Sequence, residues 1–171
     1  MKRFAVAASV AALALGLSAC GSDSAPSGLP ALFTATLLPS NEVPPVTGAE
    51  AGGSGSVTIT LNLTRDGGGN ITAATADFNV TVTGFPAGMA LTAAHIHPGA
   101  AGVVAGPVVD LALSAGEVTF ATGSGSFTKN GIIVAVAQAD PMLANAGGFY
   151  FNIHTSANPG GVARGQLTRT Q

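Results

Sequence analysis

The sequence predicts an all-β domain folded as an antiparallel β-sandwich with at most one short helix. Three observations lead there. Apolar residues recur at every second position through most of residues 31–171, the period of a strand with one buried face. The 24 glycines and 10 prolines fall in clusters between these runs and so read as turns. Charged residues make up only 8% of the chain, so the wet faces must be built from Thr, Ser, Asn and Gly. Many short strands with frequent turns suit a sandwich or a barrel.

The chain opens with a segment that reads as an export signal and not as part of the fold. Lys2 and Arg3 form a positive start, and residues 4–17 are an apolar, alanine-rich run of 14 residues. A bilayer span needs about 20 apolar residues, so this run fits a signal core instead. It ends in Leu17-Ser18-Ala19-Cys20, which resembles the lipobox of bacterial lipoproteins. That resemblance implies cleavage before Cys20, removal of residues 1–19, and diacylglycerol and further acyl chains such as palmitate at the new terminus. Several acyl chains give lasting attachment where one does not. Residues 20–30 are small, polar and proline-containing and read as a lipidated cysteine followed by a flexible tether. Gly21 stands where an Asp would favour inner-membrane retention in some bacteria. The expected location is therefore the cell envelope, at the outer membrane or the periplasmic face. Cys20 is the only cysteine, so no disulfide is expected.

From residue 31 the expected domain is continuous to 171. Phe33, Ala35 and Leu37 alternate with Thr34 and Thr36. Val57, Ile59, Leu61 and Leu63 alternate with Ser56, Thr58, Thr60, Asn62 and Thr64. Asp66-Gly67-Gly68-Gly69-Asn70 reads as a hairpin loop leading to Phe78, Val80 and Val82, which alternate with Asn79, Thr81 and Thr83. Val118 and Phe120 open another strand, and residues 132–137, apolar on both faces, read as a central or fully covered strand. Asp140 as cap, Pro141 at the first helical position and Gly147 at the end predict one short helix. Phe149, Phe151 and Ile153 alternate with Tyr150, Asn152 and His154, and residues 163–168 close the chain. The outline expected of the sandwich is immunoglobulin-like or superoxide-dismutase-like.

The three histidines are not scattered. His95 and His97 flank Ile96, so both imidazoles leave one face of a strand. His154 shares a face with Asn152 and Tyr150, and Arg164 shares one with Gln166. If these three strands are neighbours, His95, His97, Tyr150, Asn152, His154, Arg164 and Gln166 form one polar patch. Two readings stand. Three imidazoles with an open fourth position suit copper or zinc. Alternatively, they form a hydrogen-bonded structural or ligand-contact cluster. A nearby arginine opposes a second cation unless a carboxylate offsets it.

Other chemistries lack their signatures. No Gly-x-Ser-x-Gly elbow and no phosphate-cradling loop occur. Asp110 and Glu117 bracket a strand and do not read as an acid–base pair. Removing Lys2 and Arg3 from the six basic residues leaves four against eight acidic ones, with no basic patch. Nucleic-acid binding therefore has no electrostatic footprint. Glu42, in Asn41-Glu42-Val43-Pro44-Pro45, reads as a bonded structural residue in an extended segment.

Three stretches together resemble the CHRD family, first described in chordin. They are residues 38–45, Leu-Pro-Ser-Asn-Glu-Val-Pro-Pro; residues 94–102, Ala-His-Ile-His-Pro-Gly-Ala-Ala-Gly, followed by Gly106-Pro107-Val108-Val109; and residues 149–155, followed by Pro159-Gly160-Gly161-Val162-Ala163-Arg164-Gly165-Gln166-Leu167. The resemblance spans residues 31–169 and implies an all-β fold and an extracytoplasmic location. The growth-factor antagonism of chordin does not carry over to a chain with a bacterial leader. Val162 stands where the family usually has Glu, so an acidic neighbour of Arg164 is missing at that place. His95-Ile96-His97 is also similar to a motif of copper-zinc superoxide dismutase, but the further histidines and the cysteine pair of that enzyme are absent. The expected function is a non-catalytic, lipid-anchored envelope module binding a protein, a glycan or a small ligand. The alternatives are a three-histidine metal protein and a purely structural envelope protein.

Overall fold

The structure is a computed structural model and describes residues 28–171. The leader, Cys20 and most of the tether lie outside the described residues. Among the described residues, ten strands and one α-helix follow in order: β1 (Ala31–Leu37), β2 (Ser54–Arg65), β3 (Ile71–Thr83), β4 (Met89–Pro98), β5 (Val109–Asp110), β6 (Thr119–Phe120), β7 (Gly125–Ile133), α1 (Val136–Ala144), β8 (Phe149–Thr155), β9 (Ala163–Gln166) and β10 (Thr168–Arg169). They form two antiparallel sheets. One runs β10-β1-β2-β3-β7; the other runs β5-β4-β8-β9, with β6 also paired to β4. The all-β sandwich with a single α-helix is thus as the alternation predicts.

The inner faces are the apolar stripes read from the sequence. Phe33, Leu37, Val57, Ile59, Leu61, Phe78, Val80 and Val82 of the first sheet are buried, as are Leu91, Ile96, Phe151 and Ile153 of the second. The Phe78 and Phe151 rings stack across the two layers, with centroids 5.9 Å apart. Each such side chain taken from water contributes roughly 1.5–3 kcal/mol. The Asp66 carboxylate accepts hydrogen bonds from the backbone N–H of Gly68 and Asn70, both at 2.9 Å, and so shapes the β2–β3 hairpin loop.

Four expectations are corrected. Residues 132–137 are not a central strand: β7 pairs only with β3, ends at Ile133, which is 80% exposed, and the chain turns into α1. A short apolar run does not distinguish a covered strand from a strand end followed by a helix start. The helix itself begins at Val136, with Ala135 as cap, so Asp140 does not cap it and Pro141 lies inside. Pro141 removes the donor that would reach the Ala137 carbonyl, but Ala139 and Met142, one turn apart and fully buried, anchor the helix to the core. Residues 163–168 do not form one strand: β9 belongs to the second sheet and β10 crosses to pair with β1 in the first. Between Asp110 and Glu117, likewise, β5 ends at Asp110 and a loop follows.

The layers are stitched at one edge. Leu38 N–H donates to the Arg164 carbonyl at 3.1 Å, and Arg164 N–H donates back at 3.3 Å. The approach is so close that a Cβ on Gly165 would overlap the Thr36 carbonyl. Gly165→Ala is therefore expected to lower the unfolding free energy by about 2–3 kcal/mol through forced separation of β1 and β9. Urea denaturation checks this. A change below about 0.5 kcal/mol, the level of an ordinary surface substitution, would mean that the seam yields freely.

Candidate functional site

A β-bulge sets the site. In β4, Met89 and Leu91 face the core, but beyond Thr92 the core-facing positions are Ala94 and Ile96. The register against β8 shifts at this point, from Leu91↔Thr155 to Ala93↔His154. One extra residue reverses which side chains point inward. Without it, His95 and His97 would project into the apolar core. With it, they stand on the outer face of the second sheet.

The strands carrying the polar residues are neighbours, in the order β4-β8-β9. His95 pairs with Asn152, and Asn152 with Arg164; His97 pairs with Tyr150, and Tyr150 with Gln166. All seven polar residues expected to form a patch therefore come together. The patch is not open to water, however: every residue of β8 is buried, on both faces.

The loop from Gly99 to Val108 covers it. His97 Nδ1–H donates to the Ala105 carbonyl at 2.8 Å. Ala105 N–H donates to the Tyr150 hydroxyl at 3.4 Å. Arg164 donates to the carbonyls of Val103, at 3.0 Å, and Ala100, at 3.4 Å. The Gln166 amide reaches the carbonyls of Gly99 and Gly147, both at 2.9 Å. The loop after β8 covers the other end, where His154 Nδ1–H donates to the Pro159 carbonyl at 3.0 Å. That loop is held by Glu50, a buried carboxylate that accepts from Thr155 Oγ1 at 2.8 Å and from the Asn158 amide.

Arg164 is 2% exposed and lies over the Tyr150 ring, its Cζ 3.6 Å from the centroid. The His97 imidazole stacks parallel to the same ring, with centroids 4.8 Å apart. Because β8 lies between β4 and β9, the tyrosine separates the guanidinium from the histidines. The cation–π contact stabilises the charge without cancelling it.

The histidines converge. One ring nitrogen from each of His95, His97 and His154 lies within 4.8 Å of the others. His95 Nδ1 and His154 Nε2 are 3.0 Å apart, and Asn152 Oδ1 lies 3.0 Å from Nε2 of both His97 and His154. His95 Nε2 faces Asp110 Oδ1 at 3.5 Å. Burial pushes the His95 and His154 pKa values below the ordinary imidazole value; Asp110 opposes this at His95, and the bond to Pro159 opposes it at His154.

Glu42 has a larger part than its sequence context suggests. The turn Pro39–Asn41 carries it over the polar face, where it is 6% exposed. It is the acidic neighbour of Arg164, the role left vacant by Val162, which is wholly buried in the core. A Cβ on Gly161 would collide with its carboxylate, so the glycine makes the room it occupies. Desolvation raises its pKa to about 7, against the lowering effects of Arg164 and of a hydrogen bond from Asn152. Its Oε1 is buried with no hydrogen-bond partner. A cleft of about 520 Å³, lined by Glu42, Val43, Ala101, Arg164 and Gln166 among others, adjoins it.

Sequence reasoning missed Asp110 and Glu50 as parts of the site. Neither has a local signal, since each acts through a partner distant in the chain: Asp110 through the β4–β5 pairing and Glu50 through residues 155–158. Cys20, the expected lipidation site, lies outside the described residues. No helix among the described residues is long and apolar enough to cross a membrane.

The fold and site define a β-sandwich module organised around one covered polar face. The chain belongs to the CHRD domain family, whose model matches residues 33–167. It is a family of binding-type modules. Comparison with curated proteins and with solved structures returns no significant match.

The Glu42 carboxyl holds its proton in the folded state at pH values where the unfolded chain has lost it. Its contribution to stability is therefore complete below about pH 4.5 and is lost as pH rises through about 7. The histidines act in the opposite sense, losing stability as pH falls below the ordinary imidazole value. Glu42→Gln removes only the first effect. The variant is expected to gain about 2–3 kcal/mol on the wild type between pH 5 and pH 8 in denaturant titrations. A difference independent of pH would show that the carboxyl titrates as an ordinary solvated acid.

Proposed function

We propose that this chain is an exported, lipid-anchored module of the bacterial cell envelope that binds a ligand, without catalysis, at the polar face of β4, β8 and β9. The observation that carries the reading is the buried Glu42 carboxylate, whose Oε1 lacks a partner beside a cleft also lined by the buried Arg164. Buried polar atoms in folded proteins are almost always bonded, so an orphan at a cleft marks a place for a hydrogen-bond partner from outside. A ligand hydroxyl or amine from a glycan, a protein or a small molecule fits that acceptor. Membership of a family of binding-type modules supports the same reading. Export and anchoring rest on the leader-like residues 1–19 and on Cys20. Gly21 favours the outer membrane or the periplasmic face.

Palmitate labelling of cells expressing the full chain tests the anchor. The wild type is expected to take up label and to fractionate with membranes, and Cys20→Ala to lose both. An unlabelled wild type in the cytoplasmic fraction would sink the export reading. A photo-crosslinker at Val43, 42% exposed on the cleft rim, tests binding in the same cells. A discrete adduct that disappears in Glu42→Gln is expected. Adducts no different from those of a crosslinker at Thr58, exposed on β2, would remove the cleft as a binding site.

A further inference from the structure

The three imidazoles share a pattern that a merely structural cluster does not need. Each has one nitrogen directed at an oxygen acceptor away from the centre and the other directed inward. His97 Nδ1 and His154 Nδ1 face the Ala105 and Pro159 carbonyls at 2.8 and 3.0 Å. A carbonyl only accepts, so both Nδ1 atoms carry hydrogen, and in the neutral rings both Nε2 atoms carry lone pairs. His95 Nε2 faces the Asp110 carboxylate at 3.5 Å, leaving its Nδ1 inward.

Donor counting then exposes a deficit. The centre holds the Nε2 lone pairs of His97 and His154, His95 Nδ1 and the amide oxygen of Asn152. The oxygen lies 3.0 Å from both Nε2 atoms, with no hydrogen available between them. A single proton on His95 Nδ1, donated to His154 Nε2, serves only one of these contacts. Turning the Asn152 amide over would supply two hydrogens to the imidazoles. Toward an ionised Glu42 it would then present an oxygen in place of a donor. An electron-rich centre of this kind is completed by a cation.

We propose that His95 Nδ1, His97 Nε2 and His154 Nε2 bind one divalent copper or zinc ion, copper the more tightly. The inference names a ligand for the polar face and rests on the binding reading given above. Three neutral nitrogens with no thiolate select a borderline first-row ion, and copper(II) stands above zinc in the affinity order. Each ligand already has the outer partner that metal-bound histidines use, a carbonyl for two and a carboxylate for the third. Loading requires a change of tautomer at His95: its proton leaves Nδ1 for Nε2, where Asp110 accepts the hydrogen bond. No net proton is released. The inward nitrogens must also draw in from separations of up to 4.8 Å to the roughly 3.4 Å of a tetrahedral site. His95, whose side chain is 16% exposed beside the exposed Asp110, is the edge at which an ion enters. Tyr150 separates the Arg164 charge from the site, and an ionised Glu42 offsets it.

The test uses the full chain purified in detergent without a histidine tag, stripped with chelator and titrated separately with copper(II) and zinc(II). One ion per chain is expected, with hyperfine coupling to three nitrogens in the copper EPR spectrum. The Tm is expected to rise by about 5–10 °C at a hundredfold excess over Kd. His97→Ala is expected to abolish all three. Because that variant can fail to fold, Asp110→Asn supplies the second arm. Its site is exposed, no imidazole is lost, and affinity is expected to fall about tenfold to a hundredfold with one ion still bound. Absence of stoichiometric copper and zinc from the wild type would overturn the proposal, as would an affinity that neither substitution changes. Either result leaves palmitate labelling and the Val43 adduct untouched. A copper-loaded chain without label or adduct would overturn the anchored binding module and retain the metal site.

Discussion

A strand buried on both faces can carry polar side chains only where each finds a partner, because an unsatisfied polar group in the interior costs about 1–3 kcal/mol. β8 is such a strand. Its odd-numbered residues, from Phe149 to Ile153, complete the apolar core, and Tyr150, Asn152 and His154 point the other way into a second, polar interior. Much of the irregular chain follows from that constraint. The loop from Gly99 to Val108 lies across the sheet because its carbonyls are the acceptors for His97, Arg164 and Gln166. The turn after β8 is held against His154 by Pro159 and against Glu50 by Asn158. These loops lack regular structure of their own, and hydrogen bonds to the polar face take its place.

The bulge in β4 is the second determinant, and it acts through phase. A strand has only two faces, so one inserted residue exchanges them for everything that follows. Before the insertion, odd-numbered residues face the core; after it, even-numbered residues do. His95 and His97 reach the polar face for that reason alone. The same two-residue period then spaces them to meet His154 across the β4–β8 pair.

Charge is handled by layering. Arg164, almost fully buried, is stabilised by three carbonyl or amide oxygens and by the Tyr150 ring. On the far side of that ring lies the imidazole of His97. Above about pH 7 Glu42 supplies a negative charge from a separate turn, in space left by Gly161. A chain with so few charged residues thus places one cation and one carboxylate next to each other in its interior, with the histidines one aromatic layer away.

The alternation in residues 31–37, 56–64, 78–83 and 149–154 was enough to define an all-β sandwich, because side-chain direction on a strand is a local property of the backbone. The same local rule placed His95 with His97 and His154 with Asn152 and Tyr150. It did not reveal where residues 132–137 leave the sheet, since an apolar run satisfies either a covered strand or a helix that docks. It also did not reveal that the closing segment divides between two sheets at Leu167. Strand order, the bulge register, the covering of the polar face and the recruitment of Glu42, Glu50 and Asp110 were decided only in three dimensions. Each depends on contacts between residues far apart in the chain, and no pattern within a single strand encodes which other strand will lie beside it.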